Sequence, residues 1–240
     1  MRIVLTLACL LLPFSHALAQ EMEEIMVTGS AVSGSLPGEH LRRNADNLLL
    51  AVKIVNDSRE KEQREDEIYR TLSGALSESK KNGRIALSTV TDSGFVIPLT
   101  QANYRIELSA GDRPDTSQAY FRAKLPVPRD VDDGEALVLE LKRFISGLKM
   151  VGRTQVFVDQ DVEVSIVNPQ QYRDEVLRLF ARDVREVTSA LGPDYRVVVS
   201  GIDKPVEWAR AGSLGVAIYI PYEYTVVPTS INGIYTPPDY

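Results

Sequence analysis

Leu48-Leu49-Leu50-Ala51-Val52-Lys53-Ile54-Val55 runs without a break into Asn56-Asp57-Ser58 and a charged stretch from Arg59. Further along, Val164-Ser165-Ile166-Val167-Asn168 runs in the same way into Pro169 and a second charged stretch. Short apolar runs rich in β-branched residues and bounded by polar ones are expected to be buried strands. The two runs agree at four of five positions when Val52 to Asn56 is laid on Val164 to Asn168. A helix is expected after each. Asn56, Asp57 and Ser58 offer side-chain oxygens for an N-cap, and Pro169 suits a first helical turn. In the first helix Ile68, Leu72, Ala75 and Leu76 share a face that ends at Asn82-Gly83. In the second, Val176, Phe180, Val184, Val187 and Leu191 form a stripe expected to be buried.

Working outward, short strands are expected at 95–99 and 103–108, with a turn over 111–115. In 117–125 the residues Ser117, Ala119, Phe121, Ala123 and Leu125 are small or apolar, whereas Gln118, Tyr120, Arg122 and Lys124 point the other way, so one side of this strand is expected to be wet. Leu137, Leu141, Phe144 and Leu148 mark a third amphipathic helix, between these two units. A strand at 195–200 and a loop holding Trp208 lead to one long strand over 214–227, with Val216, Ile218, Ile220, Tyr222, Tyr224 and Val226 on a single face. Pro221 cannot donate to a ladder, which makes this an edge strand or a bulged one. The fold class is α+β: a mixed sheet packed with three amphipathic helices in two strand-to-helix units.

The chain has 240 residues, with 27 Lys and Arg against 33 Asp and Glu. A net charge of −6 without a dense basic run excludes a nucleic-acid footprint and an anionic-lipid patch. Residues 1–19 look like a cleaved secretory signal: Arg2, an apolar run over 3–12, Pro13, then Ala17-Leu18-Ala19. Ten apolar residues fall short of the ~20 that a spanning helix needs, so no transmembrane segment is expected in the mature chain. Cleavage removes one Arg and the only cysteine, Cys9, leaving 26 basic against 33 acidic side chains, a charge of −7. A cysteine-free exported chain of this size fits a periplasm, with outer-membrane association as a variant. Residues 20–40, rich in Gly and Ser, are expected to form a mobile leader, 41–228 the domain and 229–240 an irregular tail.

Within the leader, Glu23-Glu24-Ile25-Met26-Val27-Thr28-Gly29-Ser30 resembles the segment that follows the signal in TonB-dependent outer-membrane receptors. Over 41–227 the order of elements resembles the SIMPL-domain family of exported bacterial proteins. The residues that carry this are Val52 to Val55 entering a long helix, the 117–125 strand followed by Leu137 to Leu148, and the strand Val162-Glu163-Val164-Ser165-Ile166-Val167-Asn168-Pro169. The helix after it contains Leu179-Phe180-Ala181-Arg182-Asp183-Val184-Arg185, similar to the D-A-R end of the family's A-x-x-D-A-R helix with Val184 in place of the Ala before the Arg. The resemblance implies an α+β fold, an envelope location and, as in some members, oxidative-stress protection or self-assembly. It implies no catalytic residue and no cofactor.

The residues themselves offer little chemistry. After cleavage His40 is the only histidine, which leaves no basis for a His-rich metal site or a Ser-His-Asp arrangement, and HExxH, phosphate-loop and GxSxG motifs are absent. Asp159, Asp161 and Glu163 alternate and form a candidate cation or acid/base cluster; the favoured reading is a bulge or hairpin at 159–161 with Glu163 on a wet face. Likewise Glu60, Glu62, Glu65, Asp66 and Glu67 are expected to be a solvated helix face, favoured by the helix dipole. Trp208, Tyr219, Pro221 and Tyr222 make the candidate partner surface, Trp208 either packed down as a plug or presented. The leading expectation is a non-enzymatic envelope protein acting on a protein partner or on a second copy of itself. The alternatives are a carboxylate-dependent periplasmic hydrolase and a small outer-membrane barrel.

Overall fold

In the computed structural model residues 23–27 and 39–231 are described; the expected signal, most of the leader and residues 232–240 of the tail lie outside them. The strands are Glu24–Val27 (β1), Leu41–Asn44 (β2), Asn47–Asn56 (β3), Ala86–Val90 (β4), Val96–Pro98 (β5), Ser109–Ala110 (β6), Ser117–Pro126 (β7), Thr154–Val167 (β8), Tyr195–Ser200 (β9), Glu207–Arg210 (β10), Gly215–Tyr219 (β11) and Glu223–Pro228 (β12). The helices are Lys61–Asn82 (α1), Glu135–Ser146 (α2) and Arg173–Leu191 (α3), the last preceded by a 3-10 turn at Pro169–Tyr172. This is the expected α+β class, with both strand-to-helix units in place, but every strand pairing among the described residues is antiparallel, so the sheet is not the mixed one expected.

The two opening runs, β3 and β8, lie side by side and antiparallel in one sheet of order β1-β8-β3-β7-β4-β5, with β6 paired to β7. Because strand side chains alternate, one set serves one face. Leu48, Leu50, Val52 and Ile54 of β3 join Ala119, Phe121, Ala123 and Leu125 of β7 under Ile68, Leu72 and Ala75 of α1 and Leu137, Leu141 and Ile145 of α2. Each large side chain buried here contributes roughly 1.5–3 kcal/mol. The far end of β8 belongs to a second cluster, in which Val164, Ile166 and Val27 meet Val176 of α3 and Val216, Ile218 and Ile220. Val216 and Ile218 come from a small sheet of order β10-β11-β2, and Ile220 follows its middle strand.

The large sheet curls until its ends meet. Ile25 of β1 bridges to Phe95 beside β5, and the Met26 amide donates to the Gly94 carbonyl at 2.8 Å. Leu49, Ser88 and Ser165 face away from the helices, yet they are fully enclosed; closure of the curl is what covers them. Further along β3, β7 and β8 the same face is open, leaving Tyr120 and Phe157 about half exposed. The wet side expected of 117–125 is therefore wet only at Tyr120, since Arg122 and Lys124 are half buried and Gln118 is buried.

Several expectations are corrected. The leader is not wholly a tether: Glu24–Val27 forms β1, paired with Val164 to Val167, and the amide of Asn168 donates to Glu23. Residues 103–108 form no strand. The long strand over 214–227 is two strands, broken at 220–222 around Pro221, with β11 and β12 in different sheets. The buried parity flips across the break, from Val216, Ile218 and Ile220 to Val227, because a proline with no N–H cannot carry one ladder through. Trp208 lies in β10, not in a loop. The α3 stripe is buried only at Val176; Phe180, Val184 and Val187 are half buried and Leu191 is exposed. α1 begins at an uncapped Glu60, because Asn56 and Ser58 turn inward.

Candidate functional site

Two carboxylates expected in solvent are drawn inside. Glu67 leaves the solvated face of α1, where Glu60, Glu62, Glu65 and Asp66 remain exposed or half exposed, and reaches the end of β3. Its Oε2 accepts from Asn56 Nδ2 (2.7 Å), Ser58 Oγ (2.8 Å) and the Arg153 amide (3.0 Å), and its Oε1 accepts from Gln63 Nε2 (2.8 Å). The hydrogen bond from Asn56, followed by those from Arg153, Gln63 and Ser58, lowers its pKa from 4.5 to about 2. A Cβ at Gly152 would overlap this carboxyl, and Gly152 holds φ +58, so glycine is required there on both counts.

The second is Glu24 of β1. Its Oε1 accepts from Asn47 Nδ2 (2.9 Å) and Ser165 Oγ (2.5 Å), and its Oε2 pairs with Lys124 Nζ at 2.5 Å. Four neighbouring strands, β1, β8, β3 and β7, each contribute one member. Both carboxylates are saturated by donors, which makes them fasteners between elements and leaves neither placed to take a proton from a substrate. The sequence signal for Glu67 was its position one residue before Ile68 and four before Thr71, on the flank of the buried face. For Glu24 it was the alternation of Glu24 and Met26 with Ile25 and Val27.

Asp159, Asp161 and Glu163 do not gather. β8 advances from Val158 to Val162 while β3 advances only from Val52 to Leu50, so Asp159 and Asp161 occupy a bulge of the favoured kind. The Asp161 amide donates to Asp159 Oδ1 at 3.3 Å. Glu163 is gripped by Arg122 through two contacts, 2.9 and 3.2 Å. Among the described residues no group of three His, Cys, Asp or Glu side chains is placed to hold a metal. His40 Nε2 accepts from Arg42 Nε at 2.8 Å. The wall that a barrel would offer to lipid is here packed under α1 and α2.

The four partner-surface residues do not form one patch. By register Trp208 pairs with Ile218 and Glu207 with Tyr219, so Trp208 and Tyr219 project from opposite faces of β10 and β11. Trp208 is half buried against the second core and borders a 240 Å3 groove with Met26 and Gly94. Burial and the nearby Glu207 raise the Tyr219 hydroxyl pKa. Pro221 sits at the break, where its carbonyl would lie 2.7 Å from a Cβ at Gly201. Tyr222 packs edge-on to Phe180 of α3 at 4.4 Å, stacks with Tyr224 at 6.4 Å and donates to Asp183 Oδ2 at 3.2 Å. Burial first, then the Asp183 charge, pushes its pKa up to about 12.

Tyr222 leads into the part of the molecule with the least interior. α3 lies against β9, and among the described residues β9 pairs only with β12. Tyr195, Val197, Val199, Tyr224 and Val226 share one face of this two-stranded sheet by register, and none is fully buried. Within α3, β9 and β12 only Val176 and Val227 reach full burial. Comparison of the chain with protein-family models, with curated proteins and with solved structures finds no match. No helix among the described residues is long and apolar enough to cross a membrane.

Proposed function

We propose that this chain is an exported, non-catalytic envelope protein of SIMPL type that acts by protein contact, and that a second copy of itself is the contact its geometry favours. One observation carries the reading: the lobe of α3, β9 and β12 holds a run of apolar residues without a core to bury them in. Tyr224 is 41% exposed and Val226 36%. A two-stranded sheet is marginal by itself, and among the described residues neither of its outer edges is paired. The same strand edge from a second copy, related by a two-fold axis, would extend the sheet to four strands and cover the apolar face. The saturated carboxylates support a non-catalytic role, the apolar run over 3–12 supports export, and the order of elements supports the SIMPL reading and its envelope-protection role.

The test is the solution mass of the chain lacking residues 1–19, measured by light scattering over a hundredfold range of concentration. A dimer or larger species that Tyr224→Arg with Val226→Arg converts to a monomer of unchanged helix content supports the proposal. A wild-type protein that stays monomeric throughout overturns self-association, and crosslinking in intact envelopes then decides whether a different protein takes its place.

A further inference from the structure

A groove of about 460 Å3 lies between β2, the 127–129 stretch after β7 and the start of α3. Its walls include Arg42, Arg43, Arg129 and Tyr172, with Leu41 and Val127 as apolar surface. Three arginines thus line it against a single carboxylate, Glu175, with Arg42 and Arg43 on alternate faces of β2. In a chain of net charge −6 this local excess of cations runs against the average.

The three arginines are held differently, and each keeps donors to spare. Arg43 lies over the Tyr172 ring, 4.5 Å from its centroid, and uses Nη2 on Asp46 at 2.8 Å, which fixes its plane. Arg42 donates through Nε to His40. Arg129 has no ion pair or side-chain hydrogen bond among the described residues, yet its backbone is pinned. The Asn44 side-chain amide reaches the carbonyls of Pro128 (3.3 Å), Arg129 (3.4 Å) and Val131 (2.7 Å), tying that stretch to β2. Guanidinium forks match phosphate oxygens in shape and charge, and the volume falls within the ~300–1,000 Å3 usual for small-ligand sites.

We propose that this groove binds a small molecule through a phosphate group, with the arginines on the phosphate oxygens and the organic part against Tyr172, Leu41 and Val127. The inference is independent of self-association, which involves a different lobe. Titration of the purified chain with a hexose 6-phosphate, followed by calorimetry and by amide chemical shifts, tests it, with the free hexose and inorganic phosphate as parallel arms. Saturable binding of the ester, none of the hexose, and about a tenfold loss in Arg129→Ala with an unchanged melting temperature are expected, because Arg129 is exposed and carries no fold contact through its guanidinium. Inorganic phosphate binding as tightly as the ester would support the phosphate site and assign it to the free ion. No saturable binding by either phosphate, or equal binding by Arg129→Ala, overturns the proposal.

Discussion

Replacing Glu67 by Gln probes the most fully satisfied polar group in the fold. Its carboxylate accepts four hydrogen bonds, three of them on Oε2. The amide has only one acceptor oxygen, so its nitrogen must face either Gln63 or the trio of Asn56, Ser58 and Arg153. Leaving such donors unmet costs about 2–3 kcal/mol. The pH dependence follows from the same contacts. The pKa falls from 4.5 in its ordinary state to about 2 in the fold. At about 1.4 kcal/mol per unit that sets a ceiling of about 3.5 kcal/mol, which solvent near this shallow site reduces to about 1–2 kcal/mol. The folded pKa is the lower one, so this stability is fully present above about pH 4.5 and is lost as the pH falls toward about 2. Urea denaturation at intervals from pH 7 to pH 2 reads both effects. Asp57, whose pKa is also lowered, first by the hydrogen bond from Arg153, adds an acid dependence of its own, so the quantity to compare is wild type minus variant. A Glu67→Gln protein as stable as wild type at pH 7, with the same loss in acid, would refute the reasoning.

Glu24→Ala leaves the Lys124 ammonium largely buried beside Asn47 and Ser165 with no anion, and a loss of about 3 kcal/mol is expected. Glu24→Gln combined with Lys124→Met should recover most of it in thermal melts, and a Glu24→Ala melt that overlays wild type would show that β1 is not held by this cluster. Ile218→Asp places an unpaired charge in the second core, where Ile218 is fully buried; a loss above about 4 kcal/mol or failure to fold is expected. A native-like melting temperature for that variant would mean the face opens to solvent.

The parts of this fold legible in the sequence are those where one face of an element meets one partner. β3 and β7 alternate or run apolar because α1 and α2 cover a single face of them, and the stripes of α1 and α2 follow the same logic. The 214–227 stretch defeated the alternation argument although it matched six times in succession, because period two is silent on which sheet a strand joins. Pro221 marked the place, but a missing donor fits an edge, a bulge or a break equally well. Glu67 and Glu24 were hidden for a different reason. Their burial depends on donors brought from Asn56, Arg153, Ser165 and Lys124, far apart in the chain, and no local pattern announces such a meeting. α3 erred in the other direction: its amphipathic stripe is real, but the two-stranded sheet beside it is too small to cover it.

The topology also bears on when the molecule can close. β1, at residues 24–27, pairs with residues 164–167, and β2, at 41–44, pairs with residues 215–218. Both strands nearest the amino terminus therefore wait for partners near the carboxyl end, and the second core, which contains Val27 and Ala45 beside Val206 and Ile220, needs both. Non-local pairing of this kind closes slowly, since loop entropy must be met before the contacts reward it. Under the proposed export that delay has a use. A chain threading a membrane through its first residues holds β1 at the exit while β8 is still behind, so the curl of the large sheet cannot close, nor the buried Glu24–Lys124 pair form, until translocation has delivered residues 164–167. The element that seals the fold is thus tied by position to the end of the journey, whereas the cluster under α1 and α2 lacks chiefly β8 and Leu214 once residue 148 has passed.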